Sequence, residues 1–322
     1  MSDYNVIAGL KIKYLSADPS NPENGQVWYN SSTDSLRVSG VLGAGAWASG
    51  GTVNTPRRYV FGAGTQTASL LVNGYATGFS NATEEYNGSS WTSVTNAPFS
   101  VYNSAGGGIQ TAAFLTGGDL GSSINQVTGE YDGSNWTTTN NNPNAKNGGG
   151  GCGTQTAGLY AGGQGSTGTQ TYNGSWTSTG HSLNSQRTEV ACAMTGTSTA
   201  ALIVGSSPSS NVTEEYNGSS WTSQTGAPTA GYARSSSGIQ TAALYYGGGS
   251  SGFGGTTAAE YNGSSWSNVS DLATPRGGGG SGKGAGTSSL AFMAAGQTPG
   301  PSNSNATEEW TVPSGTANIS SS

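Results

Sequence analysis

Charged side chains are scarce in this chain. Asp, Glu, Lys and Arg make up 8% of its 322 residues, against roughly 25% in an ordinary soluble protein. The few Lys and Arg form no basic stripe and the net charge is −6, which argues against a nucleic-acid partner. Apolar runs long enough for a spanning helix do not occur, which argues against membrane insertion. The opening MSDYNVIAGLKIKYL lacks the long apolar centre of a secretory signal, so the expectation is a protein made in a cytoplasm and used elsewhere, or one whose signal has been removed. Histidine occurs once, at His181, and cysteine twice, at Cys152 and Cys192. The two cysteines stand at different places in neighbouring repeats. Their offset of about 10 Å along a strand also reverses the face, so two buried thiols are expected rather than a bridge.

Glycine is abundant instead, at 55 residues, and polarity is carried by Ser, Thr and Asn. Such a composition suggests disorder, but 8 Trp and 15 Tyr recur at fixed intervals. Disordered chains are poor in aromatics, so the recurrence points to a packed repeat.

One motif reads TEEYNGSSWT at 83–92 and again at 213–222, with variants at 128–137, 170–177 and 258–267 and a partial TEEW at 307–310. A second, of the form G-x-Q-T followed by an apolar run, precedes each of these, as in GIQTAAFLTGG at 108–118, with GTST at 196–199 and GTSS at 286–289 as variants. Every unit reads as four short strands. The first is small and Gly-rich, suited to crowding around an axis, as at 104–108 and 276–282. The second is apolar and the third carries Tyr. A tight turn at Asn-Gly follows, and the fourth strand begins at Trp. Four strands in about 44 residues make a propeller blade. The sixth unit stops after its third strand, and the missing strand stands near the other end of the chain, at Trp47. The series Trp47, Trp91, Trp136, Trp176, Trp221, Trp266 is then spaced by 40 to 45 residues. The expected fold is all-β: a six-bladed β-propeller over 41–312 with four-stranded blades, its ring closed by the Trp47 strand. Residues 1–40 are expected as an attachment module holding a β-hairpin (25–30 with 35–38) and a strand at 11–15, and 313–322 as a polar tail.

The Gly-Gly after the second strand, the Tyr of the third and the Trp of the fourth, complete at Gly117, Gly118, Tyr131 and Trp136, resemble kelch repeats. This resemblance covers about 47–312. The wording E-E-Y-N-G-S-S-W with G-x-Q-T-A-A is similar to kelch-like proteins of marine bacteriophages, including cyanophages. The segment Asn21–Asn30, NPENGQVWYN, is similar to N-terminal modules of phage tail-fibre and other virion proteins. Together they imply a non-enzymatic virion structural protein, a tail fibre or surface decoration. Other virion proteins would be its partners through 1–40, with Trp28 and Tyr29 as candidate attachment residues. Host-surface glycans and further copies of the chain are additional candidate partners. A secreted or surface lectin is the alternative, and a carbohydrate-active enzyme the weakest reading.

Little in the sequence carries chemistry. Some kelch propellers hold copper through two histidines, so the lone His181, expected in a loop, excludes that centre. No other cofactor or metal is expected. Glu85, Glu130, Glu215, Glu260 and Glu309 each precede the Tyr or its Trp substitute, while Arg58, Lys146, Arg187, Arg234 and Arg276 recur near the first strand. A ring of structural ion pairs or hydrogen bonds is expected, since acid–base catalysis needs asymmetric carboxylates. The Gly-rich stretch 277–283 lacks the ending of a phosphate loop. The loops after the second strands vary most, on one face, and recognition sits on such loops. Tyr75, Phe79 and Phe253 are the candidate glycan- or partner-binding residues there.

Overall fold

Two turns fold each repeat into a sheet. At Gln66-Thr67, Gln110-Thr111, Gln155-Thr156 and Gln240-Thr241 two residues join the first strand to the second, with Thr65 paired to Ala68, Ile109 to Ala112, Thr154 to Ala157 and Ile239 to Ala242. The Asn-Gly turn expected to be the tight one is longer. Tyr86 pairs with Trp91 across a four-residue loop. There the Asn87 side-chain oxygen accepts the backbone N–H groups of Ser89 and Ser90, and Gly88 takes φ 89°. The Asn side chain does the work of a backbone turn and Gly supplies the left-handed residue.

The computed structural model describes residues 4–7, 10–193, 195–249, 254–277, 287–300 and 302–319. These hold strands and no helix, in seven sheets. Contacts divide the chain into two units, Met1–Ala46 with Thr311–Ser322, and Trp47–Trp310. The first unit is a single five-stranded sheet of Tyr4–Ile7, Leu10–Leu15, Val27–Asn30, Ser35–Val41 and Ser314–Asn318. The hairpin and the 11–15 strand are present as expected. The polar tail is not a tail: Ser314–Asn318 pairs antiparallel with Ser35–Val41. Alternating polar residues can form an edge strand as readily as a loop, and that ambiguity hid it.

The second unit accounts for the other six sheets, which makes the total one more than the six repeats. Sheet 1 is Phe61–Thr65, Ala68–Val72, Thr83–Tyr86 and Trp91–Val94; sheet 2 is Ala105–Ile109, Ala112–Thr116, Thr128–Tyr131 and Trp136–Thr139. Sheet 3 is Gly150–Thr154, Ala157–Ala161, Gly168–Tyr172 and Trp176–Ser182; sheet 4 is Ala191–Cys192, Ala201–Ser206, Ser210–Tyr216 and Trp221–Gln224. Sheet 5 is Ser235–Ile239, Ala242–Tyr246, Ala258–Tyr261 and Trp266–Val269. These five are antiparallel and open, giving a propeller-like all-β architecture. Sheet 6 holds Leu290–Ala294, Thr307–Thr311 and, from the other end of the sequence, Ala46–Ser49. The Trp47 and Trp310 rings lie 5.5 Å apart. Of the strand expected at 276–282, residues 278–282 lie outside the described residues.

The core sits between consecutive sheets. Phe61, Leu70 and Val72 of sheet 1 pack on Ala113, Leu115 and Tyr131 of sheet 2, while Phe292 and Ala294 of sheet 6 pack on Leu71, Tyr86 and Trp91 of sheet 1. Each buried Leu, Val or Phe among them is worth roughly 1.5–3 kcal/mol. First strands approach too closely for side chains. A Cβ on Gly151 would meet the Gly106 backbone at 2.6 Å. Cys152 and Cys192 are free and buried.

Motif side chains join each sheet to the one before it. Gln110 Nε2 donates to the carbonyls of Ser69 and Tyr86, and Gln155 Nε2 to those of Ala113 and Tyr131, all at 2.9–3.0 Å. The Trp indoles donate to third-strand threonines: Trp91 to Thr307, Trp176 to Thr128, Trp221 to Thr169 and Trp266 to Thr213. The tyrosines donate to the repeating glutamates: Tyr131 to Glu85, Tyr172 to Glu130, Tyr261 to Glu215 and Tyr86 to Glu309.

The repeating glutamates thus form hydrogen bonds, and of the basic residues expected to pair, Arg187 and Arg276 do so, with the glutamates one position earlier. Arg57 pairs with Glu84, Arg187 with Glu214 and Arg276 with Glu308 (the last at 2.9 Å), all buried within single sheets. Successive strand residues face opposite ways, so Glu84 meets the arginine while Glu85 meets the next sheet's tyrosine. Arg58 instead donates to Asn303, and Arg234 lies 4.9 Å from the Tyr245 ring. His181 is not in a loop. It lies on Trp176–Ser182, with Nδ1 2.7 Å from the Tyr216 hydroxyl. Thr171 stands where the partner glutamate would be, and His181 meets the Tyr216 hydroxyl in its place, while that hydroxyl also donates to the Gly218 carbonyl at 3.0 Å.

Candidate functional site

The segment leading into the first strand of each sheet turns sharply two residues before it. Tyr59, Asn103, Glu189 and Ala233 hold that position with φ between 54° and 61°, and Gly148 holds it with φ 72°. Left-handed backbone is uncommon for Tyr or Glu and costs of order 1 kcal/mol, a strain found most often at functional sites. The preceding residues, Arg58 and Tyr102, pair through backbone hydrogen bonds with the loops after the second strands, at Tyr75 and Asp119.

These segments enclose a cavity of about 260 Å³ lined by Arg58, Tyr59, Tyr75, Phe79, Tyr102, Asn147 and Glu189. One wall is aromatic. Phe79 stacks on Tyr102 with centroids 5.5 Å apart and planes 8° apart, and Tyr75 stands edge-on to Phe79 at 5.8 Å. Tyr59 leans on Tyr102 at 5.4 Å. The Arg58 guanidinium covers the Tyr75 ring at 4.6 Å while its Nη1 donates to Asn303 at 3.1 Å. Phe79 remains 41% exposed.

The other wall is polar and rich in acceptors. The Tyr102 hydroxyl and Asn147 Nδ2 both donate to Asp119 Oδ2, at 3.1 and 3.2 Å. Asn147 Oδ1 and one Glu189 carboxylate oxygen are buried without a hydrogen-bond partner. Burial pushes the Glu189 carboxyl above its ordinary value. The Tyr59 phenol is raised by burial and then by the Glu189 charge. Such acceptors call for donors such as hydroxyls, beside ring faces that accept C–H surfaces. No group of three or more His, Cys, Asp or Glu suited to a metal occurs among the described residues.

Two of the three loop aromatics singled out from the sequence, Tyr75 and Phe79, come together here. Phe253 lies outside the described residues. Of the candidate attachment residues, Trp28 is fully buried in the first unit, its indole donating to Asp18 at 2.9 Å, so it is a core residue. Tyr29 stacks on Tyr14 at 4.5 Å and donates to Asp34. Sequence reasoning missed Tyr59, Tyr102, Asn147 and Glu189. Their signal is variation: aligned repeats put Tyr59, Asn103, Gly148, Glu189 and Ala233 at one position.

Compared with known proteins, the chain matches no family model and no curated protein.

Proposed function

We propose that this chain is a non-enzymatic glycan-binding protein of a phage virion, a tail fibre or surface decoration. In this reading Trp47–Trp310 is a six-bladed kelch-like propeller closed by the Trp47 strand. Residues 1–40 join it to other virion proteins, and host-surface glycans bind the aromatic cavity. The observation that carries it is the Tyr75, Phe79 and Tyr102 platform facing the unpartnered acceptors of Glu189 and Asn147. A sugar ring offers an apolar C–H face for such rings and hydroxyl donors for such acceptors. The E-E-Y-N-G-S-S-W wording supports the virion setting.

A glycan array followed by calorimetry on the full chain tests the reading. Phe79→Ala and Tyr102→Ala are each expected to weaken the best glycan at least tenfold with the fold intact. A glycan bound equally by wild type and both variants, or no binding at all, would overturn the site. Cryo-electron microscopy of the source particle without density for this chain would overturn the virion assignment.

A further inference from the structure

The Tyr-to-Glu contact of the repeat fails at two junctions between sheets, each of which also has Ser in place of the turn Gln (Ser198 and Ser288), and the chain repairs that contact at only one of them. Between sheets 3 and 4 the missing glutamate is replaced by His181, which meets Tyr216. Between sheets 5 and 6 two groups are missing together. Trp310 stands where the other repeats have Tyr, and Ser288 stands where four of them have Gln. Trp310 turns its indole N–H to the Ser288 carbonyl at 3.0 Å instead of reaching the preceding sheet. Glu260, the counterpart of Glu85 and Glu215, thus receives no tyrosine hydroxyl. A cavity of about 310 Å³ opens there, lined by Thr241, Glu260, Tyr261, Asn262, Ser267 and Ser288 among others.

Both missing groups are donors. At the junction before sheet 2 they are the Tyr131 hydroxyl, donating to Glu85, and the Gln110 amide, donating to the carbonyls of Ser69 and Tyr86. Removing both leaves Glu260 among the hydroxyl side chains of Thr241, Ser265, Ser267 and Ser288, a pocket carrying one negative charge. A primary ammonium group has three donors and no acceptor and carries the opposite charge. We propose that the junction between sheets 5 and 6 is a second binding site, for a primary ammonium group held by Glu260. It is independent of the aromatic cavity and of the glycan reading. Burial also raises the Glu260 carboxyl, as expected of a carboxylate left without its donor.

Amino sugars and lysine side chains both present this group, so two probes separate the sources: D-glucosamine and Nα-acetyl-lysine amide. N-acetylglucosamine and norleucine amide serve as uncharged controls. NMR titration of the full chain is expected to shift signals of the Glu260 pocket with at least one charged probe and with neither control. Glu260→Gln is expected to weaken binding at least tenfold, and Trp310→Tyr with Ser288→Gln, which rebuilds the junction, to abolish it. Melting temperatures establish that the variants are folded; should the double variant not fold, the near-isosteric Glu260→Gln decides. Charged probes that bind this variant as well as wild type, controls that bind equally, or no binding by either charged probe would each overturn the proposal.

Discussion

The Tyr86 hydroxyl donates to the Glu309 carboxylate at 2.6 Å, across 223 residues of sequence. It is one of a set of Tyr-to-Glu bonds, and the one that joins the first sheet to the last. Tyr86→Phe and Glu309→Gln are expected to lose less together than the sum of their separate losses. A coupling of about 1 kcal/mol fits a hydrogen bond to a partly exposed charge. Urea unfolding of the four chains measures it, and additive losses would refute it.

Adjacent glutamates of one strand should differ sharply in weight. Glu84 is fully buried on Arg57 and also accepts the backbone N–H groups of Asn54 and Thr55. Glu84→Gln weakens the Arg57 pair and is expected to destabilise by about 3 kcal/mol. Glu85→Gln keeps an acceptor for Tyr131 at a half-exposed site and is expected to cost about 1 kcal/mol or less. Denaturant midpoints distinguish the two, and equal losses would contradict the assignment.

Trp136 differs from its repeats. Its indole nitrogen is buried without a partner, whereas that of Trp176 donates to Thr128 at 2.7 Å. Trp176→Phe forfeits a hydrogen bond and strands Thr128, so it is expected to cost about 1 kcal/mol more than Trp136→Phe. The ranking is read from paired thermal melts.

Glu189 gives the aromatic cavity a pH signature. Its carboxyl is raised above 4.5 by burial, so the folded chain binds this proton more tightly than the unfolded chain. The stability it contributes is fully present below the ordinary carboxylate pKa and is lost as pH rises through the raised folded value. Glu189→Gln is expected to match wild type near pH 3.5 and to melt higher at pH 7, while losing affinity for glycan. Melts at the two pH values check the first part, and a variant less stable at pH 7 would refute it.

The repeat architecture was largely legible because each of its signals is local and recurs: the spaced Trp, the G-x-Q-T turn and the short Gly-rich strand. The Trp47 strand was legible because one member of the Trp series was displaced to the start of the chain. The ion pairs were not, because choosing between Glu84 and Glu85 needs the face of a four-residue strand, and a slip of one residue reverses it. Internal comparison held the answer. Arg and Glu occur together at 57 and 84, 187 and 214, and 276 and 308, while the matching positions elsewhere hold Val101 and Gly129, Lys146 and Gln170, and Gly231 and Ala259. The aromatic cavity was half legible. Tyr75 and Phe79 stand on a variable loop, but Tyr102, Asn147 and Glu189 reach it from three further repeats, and only the assembled sheets bring them together.

The Gln, Tyr and Trp bonds that join one sheet to another point backward, from a sheet to its predecessor. During synthesis this gives the sheets unequal fates. Sheets 2 to 5 emerge to find their acceptors already in place. Sheet 1 bonds instead to a sheet made after it. Gln66, Tyr86 and Trp91 wait for Ala291, Thr307, Glu309 and Trp310, with Leu71 and Val60 uncovered until Phe292 and Ala294 arrive. The first repeat made is the last to be completed, and its open face is what a nascent chain must shield from neighbouring chains on the same message.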